Sequence, residues 1–344
     1  MSKKTVLVTG GAGFIGSHTI IELLNNGSYE VISADNFSNS SQQAYRQIES
    51  ITGKTFKTYE VDLCDLRSSE KIFTENKIDG VIHFAAFKAV GESVEFPLKY
   101  YHNNIGSLTN LLELCLKHKV SNVIFSSSCS VYGNIEKLPV DENSPLPKAA
   151  SPYAYTKQIG EIMMEDVCFQ NKLFKGIALR YFNPVGAHVS GIIGEWSLNK
   201  PSNLVPLITG TAIGKYPQLS VHGGDYPTRD GTNIRDYIHV TDIANAHVLA
   251  LNYLIEGKNK TNYEIYNLGT GKGISVLEAI KAFEKVTGKK LNYKIGDRRP
   301  GDVVAVYSDS SKIEKAFGWK CAHNIESMMK TAWDWKLYRA EKKF

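Results

Sequence analysis

The sequence predicts an α/β protein, a doubly wound parallel sheet carrying a smaller mixed α/β lobe. Three observations predict it: apolar strand-like runs alternate with helix-period stretches through the first half, the first strand ends in a glycine-rich turn, and the composition changes after about residue 180. A chain of 344 residues with 42% hydrophobic content can bury a core of that size.

Taken in order, TVLVTG reads as a strand, FIGSHTIIELLNNG as a helix and YEVISAD as a second strand, which together make a βαβ unit. The alternation continues through TFKTYEVD, the helix-like LRSSEKIFTEN, the strand GVIHFAA, a long helix over about 97–118 and the strand NVIFSSS. Residues 151–170 form a further helix, with Ile159, Ile162, Met163 and Val167 at helical spacing, and it feeds the strand KGIALRYF. Beyond Arg180, Gly, Pro and Asn become frequent and 183–202 reads as an irregular loop, of a length usually reserved for function. Short strands (QLSVHG, YEIYNLG, VVAVYSD) and helices near 241–254, 276–286 and 325–337 complete the chain. The expected division is 1–180 for the sheet domain and 181–344 for the second lobe, with some segments after 235 returning to the first.

Several function classes are excluded by composition. The cysteines Cys64, Cys115, Cys129, Cys168 and Cys321 are odd in number and never in CxxC or Cys/His spacing, which predicts reduced thiols and no metal site. A net charge of +5 is spread along the chain, so no nucleic-acid stripe is expected. The opening apolar run is too short for a signal segment or a membrane span, so the expected location is the cytoplasm.

The turn from Thr9 to Gly16 follows a strand and opens a helix, and it satisfies G-x-G-x-x-G through Gly11, Gly13 and Gly16 as well as the wider Gly10-xx-Gly13-xx-Gly16 spacing. Glycines there admit a pyrophosphate to the amides of a helix N-terminus, with Phe14 and Ile15 inside the turn. Asp35 closes the second strand about 20 residues on, where a carboxylate accepts from an adenosine ribose and repels a 2′-phosphate. The sheet is therefore expected to be Rossmann-type and the cofactor NAD rather than NADP. Asp62, after the third strand, and Phe84, Ala85 and Ala86, after the fourth, fall at strand ends on the same side.

Tyr153 and Lys157 form Y-x-x-x-K, which on a helix puts both side chains on one face. A cation within about 4–6 Å lowers a phenol by about 1–3 pH units, so Lys157 would prepare Tyr153 as a base. Ser128 ends a strand in FSSSCSVYG, where the sheet would present it beside a nicotinamide. Tyr, Lys and Ser downstream of the glycine turn make a catalytic set.

At these residues the chain resembles the extended short-chain dehydrogenase/reductase superfamily and, within it, the UDP-glucose 4-epimerase family. The likeness runs through VTGGAGFIGSH, HFAAFKAVGESV, FSSSCSVYG, SPYAYTK, RYFNPVGAH, IRDYIHV and YNLGTG. It implies reversible C4 inversion of UDP-galactose and UDP-glucose through transient hydride transfer to bound NAD and a 4-keto sugar. It implies Tyr153 as acid/base, Lys157 as its tuner and ribose ligand, and Ser128 on the sugar O4. It further implies Lys88, Asn103 and Phe182 on the cofactor, and Asp35, Asn36, Asp62 and Leu63 at its adenosine end. For the UDP-sugar it implies Asn183, Asn203, Leu204, Ser220, His222, Arg235, Arg299, Asp302 and Val306. A homodimer through the helices near 97–118 and 152–170 is also implied.

Two positions depart from the family pattern. His222 falls where an aromatic near uracil is expected. Val306 falls where a gate beside the hexose C2 substituent is expected, often Tyr; a smaller residue there implies that UDP-N-acetylglucosamine and UDP-N-acetylgalactosamine also fit, unless Val306 only fills strand core. Each arginine has a plainer reading too: Arg235 as a salt bridge to Asp236, and RRPGD as a surface turn. The main rival is dehydration or decarboxylation on the same scaffold, but those need an acidic residue where Cys129 and Ser130 stand. A silent dinucleotide-binding module would usually lack the Tyr or the Lys.

Overall fold

The structure, a computed structural model, describes residues 3–196, 201, 203–299 and 302–342. β1 (Lys4–Thr9) is buried over its last four residues and turns through Gly10 into α1 (Phe14–Asn26), which stops at Gly27 in the left-handed conformation. β2 (Tyr29–Asp35), α2 (Gln43–Thr52), β3 (Lys57–Glu60), α3 (Leu66–Glu75) and β4 (Gly80–His83) follow, α3 being capped by the Asp65 carboxylate, which accepts from the amides of Arg67 and Ser68. The long helix expected near 97–118 is preceded by α4 (Val90–Glu95) and divided into α5 (Pro97–Tyr100), a π turn at Tyr101–Ile105 and α6 (Gly106–Lys117). β5 (Asn122–Ser128) runs into a 3₁₀ turn at Cys129–Tyr132, and α7 (Pro152–Gln170) starts at a Ser151 cap with proline in its first turn, where no amide is missed. β6 (Lys175–Tyr181) and β7 (Asn183–Val185) come next. The remaining elements are α8 (Leu204–Ala212), β8 (Leu219–His222), β9 (Ile234–His239), α9 (Val240–Ile255), β10 (Tyr263–Leu268), β11 (Gly273–Ser275), α10 (Val276–Thr287), β12 (Tyr293–Gly296), β13 (Ala305–Val306), α11 (Ser311–Phe317) and α12 (Ile325–Lys342).

The large sheet has seven parallel strands in the order β3-β2-β1-β4-β5-β6-β10. The chain builds outward from β1 to one edge and then from β4 to the other, so the reversal lies between β1 and β4, where a crevice opens at the carboxyl ends. Along β1, Val6 and Val8 enter the core cluster that holds α1 and α9, whereas Leu7 enters the cluster shared with α6 and α7. Both faces are thus covered by helices, which is why the strands read as continuous apolar runs. In the smaller lobe β9 pairs with β7, β11 and β13, β8 pairs with β12, and Val205, Ile208, Val221, Phe283, Met329 and Trp333 form a separate core.

The structure departs from the sequence reading in places. β7 and a bridge between Ala187 and Gly194 occupy the stretch 183–202 read as loop, of which 197–200 and 202 lie outside the described residues. The strand expected over 303–309 narrows to Ala305–Val306. Among the described residues no helix is long and apolar enough to cross a membrane, and no group of His, Cys, Asp and Glu is arranged to hold a metal ion.

Burial holds the imidazoles of His18, His83 and His239 down to about 3 and that of His247 to about 4. Among the described residues, Nε2 of His18 and of His247 has no hydrogen-bond partner, so a proton there would be buried without an acceptor. Folded pKa values below the unfolded one mean that this stability is complete above about pH 6.5 and is lost as pH falls toward 4. Each histidine is expected to remove up to about 1.4 kcal/mol per pH unit in that window. Urea unfolding at pH 7 and pH 5 checks this; equal midpoints would contradict it.

Candidate active site

The crevice at the reversal point is a cavity of about 160 Å³ lined by the glycine turn and the ends of β1, β2 and β4. Gly10 takes φ +69°, and a Cβ on it would stand 2.7 Å from the Ala85 amide nitrogen. A Cβ on Gly16 would stand 2.3 Å from the Gly10 carbonyl oxygen. Only glycine lets the turn press this closely on both neighbours. α1 begins at Gly13 with no side-chain cap, so its first amides face the cavity, with the positive end of the helix dipole behind them.

Asp35 shows how the turn is held. One carboxylate oxygen accepts from the Ala12 amide at 2.9 Å, and the other accepts from the Phe37 amide at 2.9 Å and the Ser40 hydroxyl at 2.7 Å. Asn36, Asp62, Leu63, Phe84, Ala85, Ala86, Phe14 and Ile15 line the same cavity, as expected from the sequence. Lys88 and Asn103 also line it; the Lys88 ammonium pairs with Glu195 at 2.9 Å, and Asn103 sits in the π turn, donating to Asn104 at 2.9 Å. The widened turn is the local device that brings Asn103 to the cavity and leaves Asn104 buried, where it donates to Thr156 of α7 at 3.0 Å.

α7 presents Tyr153, Lys157 and Glu161 on one face, one turn apart, all less than a tenth exposed. The Lys157 ammonium donates to the Ser126 carbonyl at 2.7 Å and lies 6.0 Å from the centre of the Tyr153 ring. Burial pulls the ammonium down to about 8, and the Glu161 carboxylate opposes that shift. Burial pushes the Tyr153 phenol well up, as does Tyr181, while a hydrogen bond from the Ser128 hydroxyl works the other way. Ser128 Oγ also accepts from the Ser130 amide at 3.2 Å, leaving its own proton for the phenol. The sequence reading had Lys157 setting the phenol; in the protein alone desolvation outweighs it, and the phenol is protonated at neutral pH.

Behind this stripe lies a buried pair. Arg180 grips Glu161 with two bonds of 2.9 and 2.6 Å and donates to the Tyr132 hydroxyl at 3.0 Å, which donates to Asn267 at 2.6 Å. Ser127 also donates to Glu161, at 2.5 Å.

A second cavity of about 570 Å³ opens in the smaller lobe and gathers Asn183, Asn203, Leu204, Ser220, His222, Arg235, Arg299 and Asp302. Asp302 ties its two arginines: Arg299 donates to it at 3.0 Å and Arg235 pairs with it at 3.7 Å. Arg235 is therefore not paired with Asp236, which is buried and accepts from Thr270, Gly271 and Ser308.

Three expected residues are not brought to either cavity. Phe182, expected on the cofactor, is 1% exposed and packs with Val131, Tyr132, Val140 and Val306. Val306 is 7% exposed in the same cluster and stands in register with Arg235 across β13 and β9. Ser128 is likewise absent from the cavity linings and reaches the site through Tyr153. The sequence reading missed Tyr181, Glu195 and Trp196 in the first cavity and Tyr216, Asn233 and Tyr237 in the second. No local motif marks Glu195; only its Lys88 partner betrays it.

One chain thus carries a glycine-turn groove, lined by Tyr153 and Lys157, and a separate arginine-lined cavity. Comparison with known proteins agrees. The family model described as NAD dependent epimerase/dehydratase family matches residues 6–269. A UDP-glucose 4-epimerase of Bacillus subtilis (strain 168) is 49% identical, over 96% of each chain. The crystal structure of UDP-glucose 4-epimerase from Bifidobacterium longum in complex with NAD⁺ and UDP superposes with TM-score 0.93 at 48% identity, covering 98% of this chain and 99% of that one. A further one, from Stenotrophomonas maltophila with bound NAD and formylated UDP-arabinopyranose, gives TM-score 0.94 at 42% identity over 99% of both chains. With the glycine turn, Asp35 and the Tyr153–Lys157 pair in place, this chain belongs to the NAD dependent epimerase/dehydratase family and, within it, to the UDP-glucose 4-epimerases.

Proposed function

We propose that the chain interconverts UDP-galactose and UDP-glucose by inverting C4, with Tyr153 handling the proton of the 4-hydroxyl. The observation that carries this reading is the stripe Tyr153–Lys157 on α7 beside the glycine-turn groove, with Ser128 next to the phenol. NAD is the cofactor, and the residues fit it: the Gly10 and Gly16 backbones leave space that a Cβ would fill, the first amides of α1 are uncapped, and Asp35 stands at the end of β2. When bound, a nicotinamide supplies a reversible store for the C4 hydrogen and a positive charge near the phenol.

The chain's own residues do the rest. Asp35, Asn36, Asp62 and Leu63 hold the adenosine end; Gly10 to Gly16, Phe84, Ala85 and Ala86 flank the middle; Lys88, Asn103 and Lys157 hold the other end. With the nicotinamide charge bound beside it, Tyr153 would be held as the phenolate that takes the proton from O4 and returns it, with the Ser128 hydroxyl oriented between phenol and sugar. Arg235 and Arg299 suit a diphosphate because planar guanidiniums engage its oxygens in pairs, and Asp302 pre-positions both. Asn183, Asn203, Leu204, Ser220 and His222 complete the UDP-sugar pocket. In this reading 1–180 forms the cofactor domain and 181–344 the sugar-nucleotide domain, with α9 and β10 serving the first.

The test is an assay of the purified protein with UDP-galactose and no added NAD, following UDP-glucose. Turnover supports the reading; failure even after NAD is added would sink it. The same protein is expected to turn over UDP-N-acetylgalactosamine, because Val306 is much smaller than the aromatic residue expected at that gate. Val306→Tyr should cut that activity at least about tenfold more than activity on UDP-galactose. Equal effects on both substrates would leave Val306 as strand core only.

The location is the cytoplasm and the assembly a homodimer. α4 and α5 pack on α7, and this surface leaves Val94, Phe96, Leu98, Ile162 and Phe169 exposed. Sedimentation equilibrium is expected to give twice the chain mass of 38.2 kDa; a single-chain mass at micromolar concentration would contradict the dimer.

A further inference from the structure

Glu195 enters the cofactor groove from the smaller lobe. Just beyond β7, the Ala187–Gly194 bridge and a bond of 3.0 Å from the His188 amide to the Ile193 carbonyl fold residues 187–194 into a tight hairpin. Ile193 is 2% exposed and packs into the core cluster that holds α1, and Ile193, Gly194 and Trp196 flank a narrow cleft with Ala12, Phe14 and Ala44. The Trp335 indole of α12 donates to the Glu195 carbonyl at 3.0 Å. The backbone at 195 is therefore held on two sides, by packing on α1 and by a hydrogen bond from α12.

Its carboxylate is committed as well. Glu195 Oε1 accepts from the Lys88 ammonium at 2.9 Å and from the Asn203 side-chain amide at 3.4 Å. Lys88 follows β4, and its ammonium lies 6.0 Å from the centre of the Phe14 ring, at the start of α1. The pair thus ties a segment of the smaller lobe to a segment of the large sheet at the wall of the groove that both residues line.

By charge alone, a carboxylate beside a groove for a diphosphate-bearing cofactor works against binding. Its use lies in Lys88. Lys88 and Lys157 are the two cations among the described residues lining the groove; Lys157 is anchored on the Ser126 carbonyl, whereas the Lys88 side chain is 46% exposed on a flexible stem. An ammonium carries three donors, so Glu195, itself 12% exposed, can take one and fix the direction of the others toward cofactor oxygens. Ordering such a side chain in advance removes a cost that binding would otherwise bear. We infer that Glu195 is a positioning residue that retains the cofactor by holding Lys88 against it. This inference rests on the contact between Lys88 and the cofactor proposed above and is independent of the C4 chemistry.

The test is the rate at which NAD leaves the loaded protein, with no sugar nucleotide present, after dilution into an excess of an NAD-hydrolysing enzyme that consumes what is released. Glu195→Gln, close in size but uncharged, is expected to release NAD at least about fivefold faster than wild type, and Glu195→Asp, which keeps the charge, only about twofold faster. Lys88→Met is also expected to release it faster, and Lys88→Met/Glu195→Gln no faster than Lys88→Met alone, because Glu195 acts through Lys88. A carboxylate that merely supported the fold would instead multiply the two effects. Such a multiplied rate, or a Glu195→Gln rate within about twofold of wild type while Lys88→Met is fast, would overturn the inference. NAD held by Lys88→Met as long as by wild type would overturn the Lys88 contact and this inference with it.

Discussion

Tyr153→Phe lowers kcat by about 10²–10⁴-fold and leaves the NAD content of the purified protein unchanged. The substitution keeps the ring, which is 7% exposed and fills its slot on α7, and removes only the oxygen. Lys157 keeps its anchor on the Ser126 carbonyl, 2.7 Å away, so the cofactor end of the stripe is not disturbed. What goes is the phenol oxygen, the group proposed to take the O4 proton, beside Ser128. KM for UDP-galactose is expected to move less than about threefold, since a group used only in the transition state contributes little to ground-state binding. Initial rates and an NAD content measured after acid release check this; a variant retaining more than about a tenth of wild-type kcat would assign the proton step elsewhere.

Arg180→Met is expected to destabilise the fold by about 3–5 kcal/mol, the largest single effect on stability expected here. Arg180 and Glu161 are 2% and 5% exposed and meet through two bonds, so removing the guanidinium leaves a carboxylate in a dry core with, among the described residues, only the Ser127 hydroxyl bonded to it. The double variant Arg180→Met/Glu161→Gln removes the stranded charge and should recover about half of the loss. Urea unfolding of the three proteins at pH 7 measures both; a single variant within about 1 kcal/mol of wild type would show that the pair is neutralised by other means. Glu161 lies one turn from Lys157 and holds its ammonium up against the pull of burial. Arg180→Met should therefore also move the alkaline side of the pH–rate profile, an effect that lost stability alone would not produce.

Where function fixed spacing, the sequence was legible. The glycine turn, Asp35 and Tyr153-xxx-Lys157 carry rigid geometric demands, and the residues lie where those demands put them: around one groove and along one face of α7. The seven-stranded parallel sheet followed from continuous apolar runs, because helices cover both of its faces. Some helices that start without a side-chain cap were missed. α8 carries Pro206 and Gly210, residue types that usually interrupt a helix; yet Pro206 is in the first turn, where its amide is not needed, and a Cβ on Gly210 would stand 2.5 Å from the Tyr216 ring. α2 has no side-chain cap and α11 is only seven residues long. The π turn that brings Asn103 to the groove has no signature in a period of 3.6.

Long-range pairings were the least legible part of the site. Arg235 beside Asp236 suggested a local pair, but successive strand residues point to opposite faces, and Arg235 turns instead to Asp302. Glu195 reaches Lys88 across 107 positions, a partnership that spacing cannot announce. Tyr153 stands in a dry environment whose burial first, and Tyr181 next, raise it, an outcome of tertiary packing that no local motif encodes.

The central claim, that C4 is inverted by moving its hydrogen off and back within the closed site, is tested most directly with UDP-galactose carrying deuterium at C4, converted in ordinary water. The account predicts that the UDP-glucose formed keeps the deuterium at C4, since the hydrogen never meets solvent. Loss of the label to water would mean that C4 is deprotonated and reprotonated instead, and would contradict it.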